Sequence, residues 1–132
     1  MVIDTSAILA FLRGEPEADA IEALLAESAD AAMSAFSVLE ARVVLLARFG
    51  DHAAAELELL ISKAEIKVVP FDHTQAELAF QAYKAYGKGS GHPAQLNLGD
   101  CAAYALAKLR REPLLFKGDD FARTDLTPAL IE

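Results

Sequence analysis

Gly87-Lys-Gly-Ser-Gly-His-Pro-Ala-Gln-Leu-Asn-Leu-Gly-Asp-Cys-Ala-Ala-Tyr-Ala-Leu-Ala107 runs from a polar, glycine-rich segment straight into an apolar periodic one. Gly87, Gly89 and Gly91, with Ser90 and His92-Pro93 among them, read as a mobile loop, since no packed element tolerates that density of helix-breaking residues. A helix is predicted to begin at Asn97. Asn is a favoured cap, and Leu98, Cys101, Ala102, Ala105 and Leu109 recur behind it at helical spacing. Asp100 falls three residues past the cap. An acid in a first helical turn is stabilised by the free N–H groups and the helix dipole, by about 0.3–1 kcal/mol. Capping alone therefore accounts for Asp100 unless the rest of the chain gives it a second task.

Outward from this stretch, strands and helices alternate. Val2-Ile3 is a short β-branched run that ends at Asp4, and Ala7 to Leu12 follow as a helix that Asp4, Thr5 or Ser6 could cap. Gly14-Glu15-Pro16 breaks that helix and starts another, with Ile21, Leu24 and Leu25 as its buried stripe. Ala31 to Ala35 reads as a strand, and Ser37-Val-Leu-Glu40 as a capping box opening the next helix, which closes at Gly50. Asp51 is expected to cap a further helix carrying Leu57, Leu59, Leu60 and Ile61. This helix pair is apolar beyond one stripe, as in segments that also meet a partner subunit. Ile66 to Val69 is a strand stopped by Pro70, Asp72 to Gln75 caps the helix that ends at Gly87, and Leu114-Leu115-Phe116 is a buried strand after Pro113. Thr124-Asp125-Leu126 is predicted to lead into a last edge strand. This order calls for one parallel sheet covered by helices on both faces, in a single domain spanning 1–132.

The chain has 132 residues and a formal charge of −8, which disfavours indiscriminate nucleic-acid binding. The charge is uneven: residues 1–83 hold 5 basic and 14 acidic side chains, whereas residues 84–123 hold 7 basic and 4 acidic. A polyanionic substrate therefore remains compatible with the second part, more so once acids are neutralised by a metal. The lone Cys101 is expected to be a buried thiol in a reducing compartment. With no membrane-length apolar run and no secretion signal, the expected location is cytoplasmic, without membrane contact.

Asp4, Glu40, Asp100 and the Asp119-Asp120 pair share one placement, just after a predicted strand or in a first helical turn. In a parallel sheet with right-handed crossovers those places lie on one edge, so the acids converge. Two carboxylates about 4 Å apart repel by roughly 4 kcal/mol at an effective dielectric of about 20, so the cluster needs a counter-charge. Oxygen donors without a Cys or His cluster suit Mg²⁺ or Mn²⁺ rather than zinc. Such a cation polarises a phosphate, lowers the pKa of a bound water and steadies a leaving oxygen, which points to metal-assisted phosphodiester hydrolysis. No phosphate-binding Gly-x-x-x-x-Gly-Lys-Ser/Thr loop and no Gly-x-Ser-x-Gly elbow occurs, so Ser6 is expected to be an orienting hydroxyl.

Val2-Ile-Asp-Thr-Ser-Ala7, Ser37-x-x-Glu40, the Gly87–Ala107 stretch and Leu114-Leu-Phe-Lys-Gly-Asp-Asp-Phe121, in that order over nearly the whole chain, resemble a PIN-domain toxin of the VapC kind. The resemblance implies an α/β fold, a three-layer α/β/α domain around a mostly parallel sheet of four or five strands. It implies a Mg²⁺-dependent endoribonuclease, with Mn²⁺ as substitute, that acts on RNA as the toxin of a toxin–antitoxin pair. A VapB-type antitoxin, a homodimer and a toxin–antitoxin hetero-oligomer are the implied partners and assemblies. The family's metal acids fall on Asp4 and Asp100, with Glu40 and Asp120 holding the cation through water or binding a second ion. The fourth acid lies in the Asp119-Asp120 pair, where Asp120, next to Phe121, is favoured. Phe116-Lys117-Gly118 stands where family members often carry a Thr before that acid, and Gln95 stands where a basic residue is frequent. The alternatives are a catalytically silent PIN-like module that only binds RNA or antitoxin, and a haloacid-dehalogenase-type phosphatase. The latter lacks its leading Asp-x-Asp, since Asp4-Thr-Ser stands there.

Overall fold

The structure, a computed structural model, describes residues 1–130. The elements in chain order are β1 (Val2–Ile3), α1 (Thr5–Leu12), α2 (Ala18–Glu27), β2 (Ala32–Ser34), α3 (Ala35–Phe49), α4 (Asp51–Lys63), β3 (Lys67–Val69), α5 (His73–Tyr86), α6 (Leu98–Arg110), β4 (Leu114–Leu115) and a 3₁₀ turn, Phe121–Arg123. The strands form one sheet in the order β3-β2-β1-β4, every pairing parallel. This is the three-layer α/β/α arrangement expected from the alternation, at the four-strand end of the range.

Side chains alternate across a strand, and here that alternation splits the core in two. Ile3, Met33 and Leu115 face α1 to α4, with Ile8, Ile21, Leu45 and Leu57 buried among them. Val2 and Leu114 face α5 and α6, with Leu96, Leu106 and Phe121. The α6 helix lies deepest: its small side chains, Ala102, Ala103, Ala105 and Ala107, let it approach the sheet closely, and all are buried. Cys101 is buried there as expected, and burial pushes its thiol up to about 11, which keeps it in the protonated, less reactive form near neutral pH.

The order of strands sets where a ligand can sit. The chain moves outward from β1 through β2 to β3, then returns to place β4 on the other side of β1. The sense of progression therefore reverses between β1 and β4, and the crevice beyond their carboxyl ends is the place where open α/β sheets receive ligands. Asp4 follows β1 directly, and its N–H donates to Leu115 O at 2.9 Å, stitching the two strand ends together.

Several local expectations are corrected. The cap of α3 is Ser34, whose Oγ accepts from Phe36 N–H, so the helix starts before Ser37 and the Ser37–Glu40 capping box does not form. The α4 cap is Gly50, at φ 88°, and Asp51 is the first helical residue with no capping bond from the cap position. The edge strand expected after Thr124-Asp125-Leu126 is reduced to a single parallel bridge between Leu114 and Pro128, reached through a 3₁₀ turn over Phe121–Arg123. The Gly87–Leu96 segment is pinned rather than mobile. Lys88 N–H donates to Leu96 O, Leu96 N–H to Tyr86 O, Ser90 Oγ to Gly87 O, and the His92 ring lies edge-on to Tyr86. Gly87 is required at the start of this loop, because a Cβ there would stand 2.4 Å from Tyr83 O.

Leu106 is fully buried between α6 and the sheet. Leu106→Ala is expected to lower stability by about 2–5 kcal/mol, read as a shift of the urea midpoint with an unchanged slope.

Candidate active site

The Asp4 side chain caps α1. Its Oδ2 accepts both the Ser6 N–H, at 3.0 Å, and the Ser6 hydroxyl, at 2.6 Å. Its Oδ1 is buried and has no hydrogen-bond partner. A buried carboxylate left half-satisfied is costly, so it retains its proton more strongly than usual. Burial pushes the Asp4 carboxyl up to about 7, with Asp100 and Glu40 adding repulsion against the bonds from Ser6.

Asp100 enters from α6. Its N–H donates to Asn97 Oδ1 at 2.8 Å and its Oδ2 accepts the Asn97 N–H at 3.0 Å, a reciprocal capping box. The expected cap thus holds the acid in place. Burial raises the Asp100 pKa above the usual carboxylate range, Asn97 opposes, Glu40 and Asp120 raise it further, and Lys88 lowers it. Asp120, exposed ahead of the 3₁₀ turn, is therefore the member of the acidic pair whose charge reaches Asp100. Asp119 is also exposed and lines a separate cleft of about 380 Å³ with Glu17 and Lys117.

Glu40 lies in the second turn of α3, not the first, because the helix begins at Ala35. Thr5 holds it: the Thr5 hydroxyl lies 2.7 Å from Glu40 Oε1 and 3.2 Å from Ser37 O, and donates to the carboxylate at the shorter distance. Thr5, which the sequence marks only as a candidate cap, is thus a partner of the Glu40 carboxylate. Its place between Asp4 and Ser6 was the available signal. Room for the Glu40 carboxylate comes from Gly99, where a Cβ would stand 2.0 Å from Glu40 Oε2. Ser6 links the groups to β4, accepting the Lys117 N–H at 3.0 Å while donating to Asp4.

Among the described residues, no three His, Cys, Asp or Glu side chains meet as a ready-made metal-binding group. Asp4, Glu40, Asp100 and Asp120 are coupled through their charges rather than gathered into a closed cage. The donor set fits a hard cation nonetheless: it is all oxygen, one buried carboxylate oxygen is bare, and buried Asp4 and half-buried Asp100 are both held above their ordinary pKa. A cation that keeps several of its waters needs few direct protein ligands. Gln95 lies outside the cluster, exposed in the loop at φ 49°.

The chain matches the PIN domain family over residues 1–126. It is 47% identical over 126 residues to "Ribonuclease VapC" of Mycolicibacterium smegmatis, covering 96% of this chain and 97% of that one. Among solved structures, it is similar to Mycobacterium tuberculosis VapC20, described as a "Sarcin-Ricin loop cleaving toxin", with a TM-score of 0.75, 18% identity and coverage of 96% and 95%. It is also similar to VapBC2 of Rickettsia felis bound to a promoter DNA fragment, with a TM-score of 0.74, 12% identity and coverage of 96% and 94%.

In the folded chain the Asp4 carboxyl keeps its proton up to about pH 7, whereas in the unfolded chain it titrates near 3.8. The folded state binds the extra proton between those values, so its stability falls as pH rises through them. Without divalent cation, the urea midpoint is expected to be higher at pH 5 than at pH 8. Asp4→Asn, close in shape but unable to ionise, should remove most of that slope; an unchanged slope would assign it to other groups.

Proposed function

The chain belongs to the PIN-domain family, among the VapC proteins, and from that premise we propose that it is an endoribonuclease, the toxin of a VapBC-type pair, dependent on Mg²⁺ with Mn²⁺ as substitute. The observation that carries this reading is the bare, buried Oδ1 of Asp4, beyond the carboxyl ends of β1 and β4, with Glu40 and Asp100 within electrostatic reach of Asp4 and Asp120 within reach of Asp100.

Asp4, through Oδ1, and Asp100 would hold the cation, with Glu40 and Asp120 acting through water or on a second ion. When bound, the cation polarises the RNA phosphate, lowers the pKa of a water and stabilises charge on the leaving oxygen. Thr5 keeps Glu40 in one orientation, and Ser6 keeps Asp4 Oδ2 occupied, so the cluster presents fixed oxygens instead of swinging side chains. Lys88 supplies positive charge beside Asp100. Together with the basic excess of residues 84–123, it favours approach of a polyanion.

The proposed partner is a VapB-type antitoxin, and the proposed assembly contains a toxin dimer. Leu39, Val43 and Leu46 on α3 and Leu98 on α6 are each at least half exposed, an apolar stripe that a partner would cover. The proposed location is cytoplasmic; among the described residues no helix is long and apolar enough to cross a membrane.

RNA cleavage by the purified chain should require Mg²⁺ or Mn²⁺ and stop on chelation. Asp4→Asn and Asp100→Asn are each expected to reduce the rate at least a hundredfold while the far-ultraviolet circular dichroism stays native. Full activity in Asp100→Asn, or cleavage that persists in chelator, would overturn the assignment. Binding of RNA with no cleavage under any divalent cation would favour the silent-module reading.

A further inference from the structure

Lys117 does two things at once in the segment that follows β4. Its ammonium reaches across to the turn between α1 and α2, where it pairs with Glu15 and, at 3.4 Å, with Glu17 Oε2. The Glu17 oxygen is buried and has no hydrogen-bond partner, so this charge contact is its compensation. Meanwhile the Lys117 backbone N–H donates to Ser6 Oγ at 3.0 Å. That bond fills an acceptor site on Ser6 and leaves its single proton for Asp4 Oδ2, 2.6 Å away. Ser6 N–H donates to the same oxygen, so Oδ2 is doubly bonded and Oδ1 is bare.

The Glu15–Lys117 pair is about one-third exposed on both sides, and a pair that exposed adds little to stability. Two acids on one lysine are better explained by what the lysine's main chain does. We infer that Lys117 is a positioning residue: the Glu15–Lys117–Glu17 clamp fixes the backbone that orients Ser6, and through Ser6 it turns Asp4 so that Oδ1 is presented to the cation. The same clamp sets the start of the loop that delivers Asp120. This inference rests on the functional reading above. The rival role for Lys117 is direct contact with an RNA phosphate. The two roles differ in sign: the clamp needs Glu15 and Glu17, whereas a phosphate contact is opposed by them.

The test titrates Mn²⁺ alone into the purified full chain, by calorimetry and by the electron-spin signal of free Mn²⁺. It compares the native sequence with Lys117→Met, Lys117→Arg, the Glu15→Gln/Glu17→Gln pair, and that pair combined with Lys117→Met. Mn²⁺ affinity is expected to fall about tenfold in Lys117→Met, as when an outer-shell partner of a metal ligand is removed. The fall should be similar in the Glu15→Gln/Glu17→Gln pair and no larger in the combination, since all three break one clamp. Lys117→Arg should recover most of the affinity, and thermal midpoints should change little. Unchanged Mn²⁺ affinity in Lys117→Met, or additive losses in the combination, would overturn the inference. So would an RNA affinity that rises with the Glu15→Gln/Glu17→Gln pair and falls with Lys117→Met. A native chain that binds no Mn²⁺ would overturn the functional reading together with this one, whereas native binding with unaffected variants overturns this one alone.

Discussion

A carboxylate taken out of water with half of its acceptor capacity empty is the constraint around which this molecule is arranged. Asp4 is 3% exposed, and only one of its two oxygens is bonded. The fold supplies partial relief: two donors from Ser6 and the positive end of α1, whose first turn Asp4 caps. Against this stand the fields of Asp100 and Glu40, which favour the protonated form. An asparagine or an apolar side chain would remove the conflict at once. A sequence that keeps such a local contradiction does so at a place where something other than stability is served.

The way each acid is held explains why they approach one another without closing. Asp4 and Asp100 are fixed by capping bonds to their own helices, which are short-range and rigid. Glu40 reaches in from the second turn of α3 on a longer side chain, held by the Thr5 hydroxyl and admitted by the missing Cβ of Gly99. Asp120 sits on an exposed turn with no capping bond from its side chain. Drawing two such charges to about 4 Å costs roughly 4 kcal/mol at an effective dielectric of about 20, and nothing in the chain alone repays it. Uncompensated acids therefore stay apart. The absence of a preformed metal-binding group among the described residues follows from that repulsion as readily as from any lack of ligands.

What the sequence revealed tracks the range of the interaction involved. The Asn97–Asp100 box was legible because cap and acid are three residues apart and bond each other. The strand–acid–helix order was legible because β1 is a short β-branched run ended by Asp4, and β4 is a short apolar run set off by Pro113. The α3 start was misplaced because Ser34 and Ser37 are equally good caps, and packing, not propensity, buries Ser37 in the helix. The Gly87–Leu96 loop looked mobile because glycines report permitted freedom, whereas the bonds of Lys88 and Leu96 that remove it come from across the loop. Thr5's hold on Glu40 spans 35 residues and Lys117's bond to Ser6 spans 111, so no local pattern announces either one.

The charge balance poses a last problem, since the proposed substrate and the site carry the same sign. The chain has a net charge of −8, and Asp4, at the centre of the proposed chemistry, keeps one buried oxygen without a partner. Lys88 offsets part of that field at Asp100. Beyond a Debye length of roughly 8 Å at physiological salt, more distant basic residues contribute little at that point. An RNA phosphate would therefore meet a repulsive surface at the place where it must be cut. A bound divalent cation offsets two of those negative charges at close range, where a fixed ion of that charge dominates its immediate surroundings. On the proposed reading the cation admits the substrate as well as activating it. The raised proton affinity of Asp4 and Asp100 then has a direct meaning: without the cation, a proton takes over the neutralisation that Lys88 leaves incomplete.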